Sequence, residues 1–139
     1  LYAGRYKYVK FYGSSTASPA RGLVVVWQDA DNYVVNADVA ATTAGLGAGI
    51  TLNAVTKGNY GWIQVEGKAT VQCNSSVGGT TSGDLALVNT TDGTVVAVAD
   101  GTAGGVDTAL EAKRVIGDFL EAPANSGLKL CNVRFTRVP

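Results

Sequence analysis

Residues 60–73 read YGWIQVEGKATVQC, and this stretch decides the fold. Aromatic and β-branched residues are frequent in it, and these residue types are enriched in strands. Gly67 interrupts the run, and a glycine inside a strand pattern marks a bulge or a tight bend. The stretch therefore predicts a hairpin-like pair of strands that bends at Gly67, where a valine would damage folding.

Short strand patterns separated by turns continue on both sides of this stretch. Residues 22–28 (GLVVVWQ) are a continuous apolar run, which is typical of a buried strand. Residues 85–88 and 95–99 flank Asp92 and Gly93, a dipeptide that favours a hairpin turn. Residues 108–114 could form a helix of at most two turns or be extended. About nine or ten short strands predict an all-β fold, a compact β-barrel or β-sandwich.

The sequence contains no motif for catalysis or for metal binding. Histidine, the commonest metal ligand and a frequent general base, is absent. The two cysteines, Cys73 and Cys131, are too few for a metal site on their own. Gly45, Gly47 and Gly49 alternate, which is not the spacing of a phosphate-binding loop. Residues 37–49 therefore predict a loop whose glycines supply positive φ and close backbone approach. We therefore expect no enzyme activity, no catalytic residue, no metal site and no cofactor.

The two cysteines leave one structural question open. If Cys73 and Cys131 were joined, closing the long loop between them would stabilise the fold by roughly 4 kcal/mol. Unpaired cysteine is also among the most buried residue types. We favour two buried thiols in strands, and a disulfide is the alternative.

The N-terminal segment alternates strictly over residues 5–12, which predicts a strand. Both of its faces carry aromatic side chains, so it could be an arm laid against a partner or the first strand of the chain's own sheet. Residues 13–19 (GSSTASP) have the composition of a flexible joint. We therefore predict an extended N-terminal arm and hinge over residues 1–20 and a single β domain over residues 21–139. The domain is expected to stay folded without residues 1–12.

Charge is distributed unevenly along the chain. All eleven acidic residues lie between Asp29 and Glu121 together with only four bases, and the other seven bases lie in residues 1–28 and 122–139. This asymmetry suggests that the two ends lie together and dock on an acidic surface. The alternatives are phosphate binding and ordinary solvated strand edges, where lysine guards against aggregation. The basic residues are few for nucleic acid, and no apolar run reaches about 18 residues, so we expect neither direct nucleic-acid binding nor a membrane partner.

Two spaced motifs in the middle and at the end of the chain carry a family resemblance. The first reads G-x-x-L-x-x-V-x-x-G-x-x-G-W-I-Q-V-x-G-x-A-x-V and is formed by Gly49, Leu52, Val55, Gly58, Gly61, Trp62, Gln64, Gly67, Ala69 and Val71. The second is IGDFLEAPANSGLKLCNVRF, with Ile116, Gly117, Leu120, Glu121 and Gly127 at the matching positions. Over residues 45–135 the chain resembles the small decoration proteins of tailed bacteriophages, which are also called cement or head-stabilising proteins.

The resemblance implies a structural virion protein without catalytic residues. Proteins of this family lie on the outer surface of the phage head, usually as homotrimers, and clamp neighbouring subunits of the major capsid protein. Such a clip gains affinity because it binds several joints at once. For the partner interface we predict the aromatic and basic residues of the two ends, namely Tyr2, Arg5, Tyr6, Lys7, Tyr8, Phe11, Tyr12, Arg134 and Arg137.

The alternative function is a carbohydrate- or surface-binding β-sandwich module. Trp27, Trp62 and Tyr33 could form a flat platform for a sugar ring. Tryptophans within apolar strands more often pack in a core, and we favour core packing for both of them. Exposed coplanar tryptophans would instead favour carbohydrate binding.

Overall fold

The structure is a computed structural model, which describes residues 2–15, 18–40, 43–79, 81–90, 93–98 and 109–136. These ranges contain nine strands and two short helices. The strands are β1 (Gly4–Phe11), β2 (Val24–Asp29), β3 (Val34–Asn36), β4 (Gly47–Thr51), β5 (Tyr60–Gln72), β6 (Leu85–Val88), β7 (Val95–Val98), β8 (Val115–Phe119) and β9 (Leu128–Arg134). A 3-10 helix spans Ala44–Leu46, and helix α1 spans Ala109–Arg114. The predicted all-β class is confirmed. In these ranges, no helix is long and apolar enough to cross a membrane.

The first five strands close into a barrel. They follow one another in the order β1-β3-β2-β4-β5, and antiparallel pairing of β1 with β5 completes the circle. The interior is filled by apolar side chains, among them Val9, Phe11, Val25, Val35 and Ile63, each at most 1% exposed. The barrel that the sequence predicted as one of two architectures is therefore present.

β5 also belongs to a second group of strands, because β9, β8, β6 and β7 follow it in the sheet. The chain after β5 then runs beside β7: Cys73 pairs with Val95, and the Ala97 N–H donates to the Val77 carbonyl. The space enclosed by these strands holds a second apolar core, which includes Phe119. Each named strand therefore has hydrogen-bonded neighbours on both sides.

The apolar run in β2 lacks alternation because both faces of the strand are buried. Val25 points into the barrel core, whereas Val24 and Val26 pack in the second core. Each of the three side chains is at most 2% exposed. The buried strand predicted from the run is confirmed.

β5 is one continuous strand of 13 residues, so the predicted pair of strands is wrong. The predicted bend is present: Gly67 has a φ of 102°, and the register of β1 against β5 shifts between Arg5 and Tyr6. The buried Gln64 side chain donates hydrogen bonds of 3.2 and 2.6 Å to the carbonyls just before and just after Gly67. These two bonds hold the bulge in place.

Residues 47–49, the end of the predicted loop, form the first part of β4, which spans Gly47–Thr51. A Cβ atom at Gly49 would lie 2.8 Å from the Gln64 carbonyl oxygen and 2.9 Å from Cδ1 of Ile63. Neither Gly47 nor Gly49 has a positive φ. Glycine at position 49 allows β4 to lie close against the side chains and backbone of β5. The predicted close backbone approach is therefore present, in a strand and without positive φ.

Cys73 and Cys131 are unpaired and buried, so the favoured interpretation of two buried thiols is confirmed. Cys131 lies opposite Ala69, four residues before Cys73 on the neighbouring strand. That is roughly 13 Å along a strand, which is beyond the reach of a disulfide. Burial raises the pKa of both thiols.

β1 is built into the barrel. It pairs with β3 and β5, and its Val9 and Phe11 side chains lie in the barrel core. Of the two interpretations left open for this strand, the structure shows a strand of the chain's own sheet. Removal of residues 1–12 would take away one wall and two core side chains, so the rest is not expected to stay folded without them. The division into residues 1–20 and 21–139 stays a prediction.

Candidate docking surface

The outer side of β1 and β5 carries an exposed cluster of aromatic rings. Tyr8, Tyr60 and Trp62 are 56%, 58% and 53% exposed. Side chains alternate between the two faces of a strand, so the arrangement that buries Val9 and Ile63 turns these rings outward. The outward side chains of the two strands are here called the β1–β5 face, which consists of Arg5, Tyr6, Tyr8, Lys10, Tyr60, Trp62, Gln64 and Glu66.

Tyr8 contacts both of the other rings. Its ring centroid lies 5.8 Å from that of Tyr60 with the planes 16° apart, and 5.2 Å from that of Trp62 with the planes 54° apart. Lys10 stands opposite Tyr60 in the register and places Nζ 5.8 Å from the centre of that ring. Aromatic pairs attract by roughly 0.5–1.5 kcal/mol beyond their burial. These contacts therefore favour the observed arrangement of the rings before any partner arrives.

Charged side chains border the rings at the other end of the face. Arg5 Nη1 lies 2.9 Å from Glu66 Oε2, and Arg134 of β9 stands opposite Glu66 in the register. The predicted meeting of the two basic ends is confirmed for Arg5 and Arg134. The Arg5–Glu66 pair is exposed, and such pairs contribute about 0–1 kcal/mol to stability. Separating Arg5 from Glu66 therefore costs little free energy, and both charged groups remain available to a partner.

Lys7 belongs to a different part of the barrel. Its Nζ lies 4.9 Å from the centre of the Tyr33 ring, and Trp27 meets Tyr33 edge-on at 6.4 Å. Desolvation lowers the pKa of Lys7, and the nearby charge of Arg5 lowers it further. Lys7 therefore lies with Trp27 and Tyr33 and not with the rings of the β1–β5 face.

The remaining predicted interface residues have mixed positions. The Tyr6 hydroxyl donates to the Tyr2 carbonyl, which places Tyr2 beside the face. Tyr12 directly follows β1 and is 37% exposed. The prediction that Phe11 lies at the interface is corrected. Strand alternation turns its side chain into the barrel core, where it is 1% exposed. Arg137 lies outside the described residues.

The sequence prediction missed five residues of the face, namely Lys10, Tyr60, Trp62, Gln64 and Glu66. The predicted core packing of Trp62 is wrong. Trp62 and Ile63 are adjacent in β5 and point to opposite faces, so Ile63 enters the barrel core and Trp62 points away from it. Trp27 does pack, half-buried, against that core. The three residues of the predicted sugar platform are divided between the end of the barrel and its outer wall, so no flat surface unites them.

The β1–β5 face suits non-covalent association. Tyrosine, tryptophan and arginine are the residue types most enriched at the energetic centres of protein interfaces. Across the described ranges, no three cysteine, aspartate or glutamate side chains are grouped in a way that could hold a metal ion. The arrangement supplies preformed aromatic contacts and a cationic rim.

Comparisons with known proteins identify the fold. No protein-family model and no curated protein matches the chain. The head fiber gp8.5 N base of bacteriophage phi29 is similar, with a TM-score of 0.55 and 15% identity over 93% of this chain and 92% of that chain. A chain in the capsid of the Myoviridae phage XM1 has a TM-score of 0.62 and 14% identity, over 96% of this chain and 84% of that one. The fold is thus shared with components of two phage heads, as the resemblance led us to expect.

Proposed function

We propose that this chain is a structural protein of a bacteriophage virion that binds the outer surface of the head as a decoration or cement protein. It stabilises contacts between subunits of the major capsid protein, acts as a homotrimer and has no enzymatic activity. The observation that carries the proposal is the β1–β5 face, an exposed aromatic surface on a fold shared with two phage-head structures.

Burial of the rings supplies the affinity. Covering a large apolar side chain contributes about 1.5–3 kcal/mol, and Tyr8, Tyr60 and Trp62 are all about half exposed. Their mutual contacts restrict their rotamers, so little side-chain freedom is lost when a partner covers them. A clip needs only about 800 Å² on each partner at each joint, because several joints are bound together.

The cationic rim favours an acidic partner surface. Lys10 lies at one end of the rings, and Arg134 and the Arg5–Glu66 pair lie at the other. Charges at the rim of an interface mainly steer encounter and select the partner. Binding to heads should therefore weaken as salt is added.

The test is co-sedimentation of the purified protein with head shells of the cognate phage that lack it. Trp62→Ala should weaken shell binding about 30-fold, the loss expected for a central aromatic residue, while the thermal midpoint changes little because Trp62 is exposed. Leu120→Ala, at an exposed leucine after β8, is the matched control and should bind normally. A wild-type protein that ignores shells, or a Trp62→Ala variant that binds like wild type, would contradict the proposal.

The oligomeric state is tested separately by light scattering on the eluate of a size-exclusion column. A mass of three chains, alone or released intact from shells, is the expected result. A monomer in both situations would refute the trimer and would leave the docking test unaffected.

A further inference from the structure

A groove runs beside the β1–β5 face, between β5 and the chain that follows β4. It has two chambers, which share Leu52 and Asn53. The aromatic chamber, of about 640 Å³, is lined by Tyr6, Val55, Tyr60 and Trp62. The polar chamber, of about 390 Å³, is lined by Tyr2, Arg21, Gln64 and Thr70. One continuous groove therefore offers an apolar contact and a positive charge side by side.

We propose that this groove receives an extended, acidic segment of the major capsid protein. An apolar or proline side chain of the segment enters the aromatic chamber, and a carboxylate side chain pairs with Arg21 in the polar chamber. The inference rests on the proposed function and names the part of the partner that is recognised.

The form of the groove selects an extended segment. Aromatic-lined grooves recognise extended polyproline-type chains, whose backbone is already ordered and needs few hydrogen bonds. The exposed Asn53 lies where the chambers join, and its amide can both donate to and accept from a backbone that crosses it.

The positive charge of Arg21 favours a segment that carries acidic residues. Two ion pairs are found among the described residues, Arg5–Glu66 and Lys129–Glu121. Arg21, the basic residue that lines the groove, takes part in neither, so its guanidinium can pair with a carboxylate of the partner. A guanidinium can bind a carboxylate through two parallel hydrogen bonds. Lys10 at the far end of the rings adds positive charge on the same side of the barrel.

The backbone that carries Arg21 is fixed in advance. The Thr51 hydroxyl donates to the Ala20 carbonyl, and the N–H of Gly22 donates to the Thr51 carbonyl at 2.9 Å. The Gly22 carbonyl in turn accepts from the N–H of Gln72 at 2.8 Å. Arg21 therefore sits between two anchored residues, and only its side chain is ordered when a carboxylate binds, which limits the entropic cost.

Photocrosslinking from the groove tests the proposal on the intact protein. Asn53→p-benzoylphenylalanine is mixed with cognate shells, irradiated and analysed by mass spectrometry, with Ser82→p-benzoylphenylalanine, at an exposed loop before β6, as the control. We expect adducts from position 53 on an extended segment of the capsid protein that has an acidic residue within a few positions, and no such adduct from position 82.

Charge reversal supplies an independent measurement. Arg21→Glu should weaken shell binding at least about tenfold at low salt. Arg21→Lys should restore part of the binding, because lysine keeps the charge but cannot form the two parallel hydrogen bonds. Unchanged binding of Arg21→Glu overturns the inference, as do adducts from position 53 on a second copy of this chain, on a glycan, or on a capsid segment without acidic residues. Failure of the wild-type protein to bind shells would instead overturn the proposed function, so the two failures are distinguishable.

Discussion

Replacement of Gly67 by alanine tests the bulge that places β1 against β5. Gly67 has a φ of 102°, and a Cβ atom there would lie 2.6 Å from the Ala3 carbonyl oxygen and 3.0 Å from Cα of Gly4. Positive φ costs an L-residue roughly 1–2 kcal/mol. Both obstructing atoms belong to backbone, so the start of β1 must move and give up at least one hydrogen bond, worth about 1 kcal/mol. We expect Gly67→Ala to lower the free energy of unfolding by about 2–3 kcal/mol, the sum of these two effects.

Gly83→Ala separates the two contributions. Gly83 has a similar φ of 95°, but nothing lies within 4 Å of the position of its Cβ. Its alanine variant should therefore lose only the roughly 1–2 kcal/mol due to backbone conformation. Urea unfolding followed by tryptophan fluorescence gives both values. Equal losses at the two positions would refute the close-contact argument. The loss at Gly67 should also be accompanied by weaker shell binding, since Arg5 and Tyr8 lie on β1, the strand that moves.

Three further outcomes follow from burial and hydrogen bonding. Phe11→Ala should lower the free energy of unfolding by about 3–5 kcal/mol through a core cavity, and a calorimetric change below about 1 kcal/mol would contradict its core assignment. Cys73 and Cys131 should resist thiol reagents until urea unfolds the chain, since burial raises both pKa values from 9.0. For the same reason the free energy of unfolding should fall as pH rises above 9, where only the unfolded thiols ionise readily. Hydrogen bonds from Asn32 lower the pKa of Asp29 below 3.8. The stabilisation from Asp29 is thus present above pH 3.8 and lost as pH falls through the lower pKa of the folded state. Asn32→Ala should raise the Asp29 titration midpoint measured by NMR, and an unchanged midpoint would refute the role of the Asn32 hydrogen bond.

Features of the fold with a local physical cause could be predicted from the sequence. The hairpin of β6 and β7 is one example: Leu85 pairs with Val98 across a turn in which Gly93 has a φ of 67°. The bend at Gly67 is another, because positive φ is tolerated best by glycine. Turn chemistry and backbone conformation act within a few residues, so the sequence pattern records them directly.

Features that depend on distant parts of the chain could not be predicted in this way. Gly49 looks like a loop glycine, but it lies in β4 because β5 approaches closely. Phe11 and Trp62 show the same limit at the candidate site, since each lies in a strand with large aromatic or aliphatic side chains on both faces. Closure of the barrel by pairing of β1 with β5 decides which side is inside. That closure buries Phe11 and exposes Trp62, the reverse of the prediction for each.

The position of the rings on β5 explains why the β1–β5 face can act as a rigid surface. The inward side chains of β5 fill both cores, with Ile63 in the barrel core and Val71 in the second core. Its backbone is hydrogen-bonded to β1, β4 and β9. A strand held in this way opens only with the unfolding of both cores. The rings at Tyr60 and Trp62 are therefore mounted on a strand whose backbone is tied to three neighbouring strands. A partner that binds them does not have to order the backbone beneath, so more of the contact energy is available to hold subunits together.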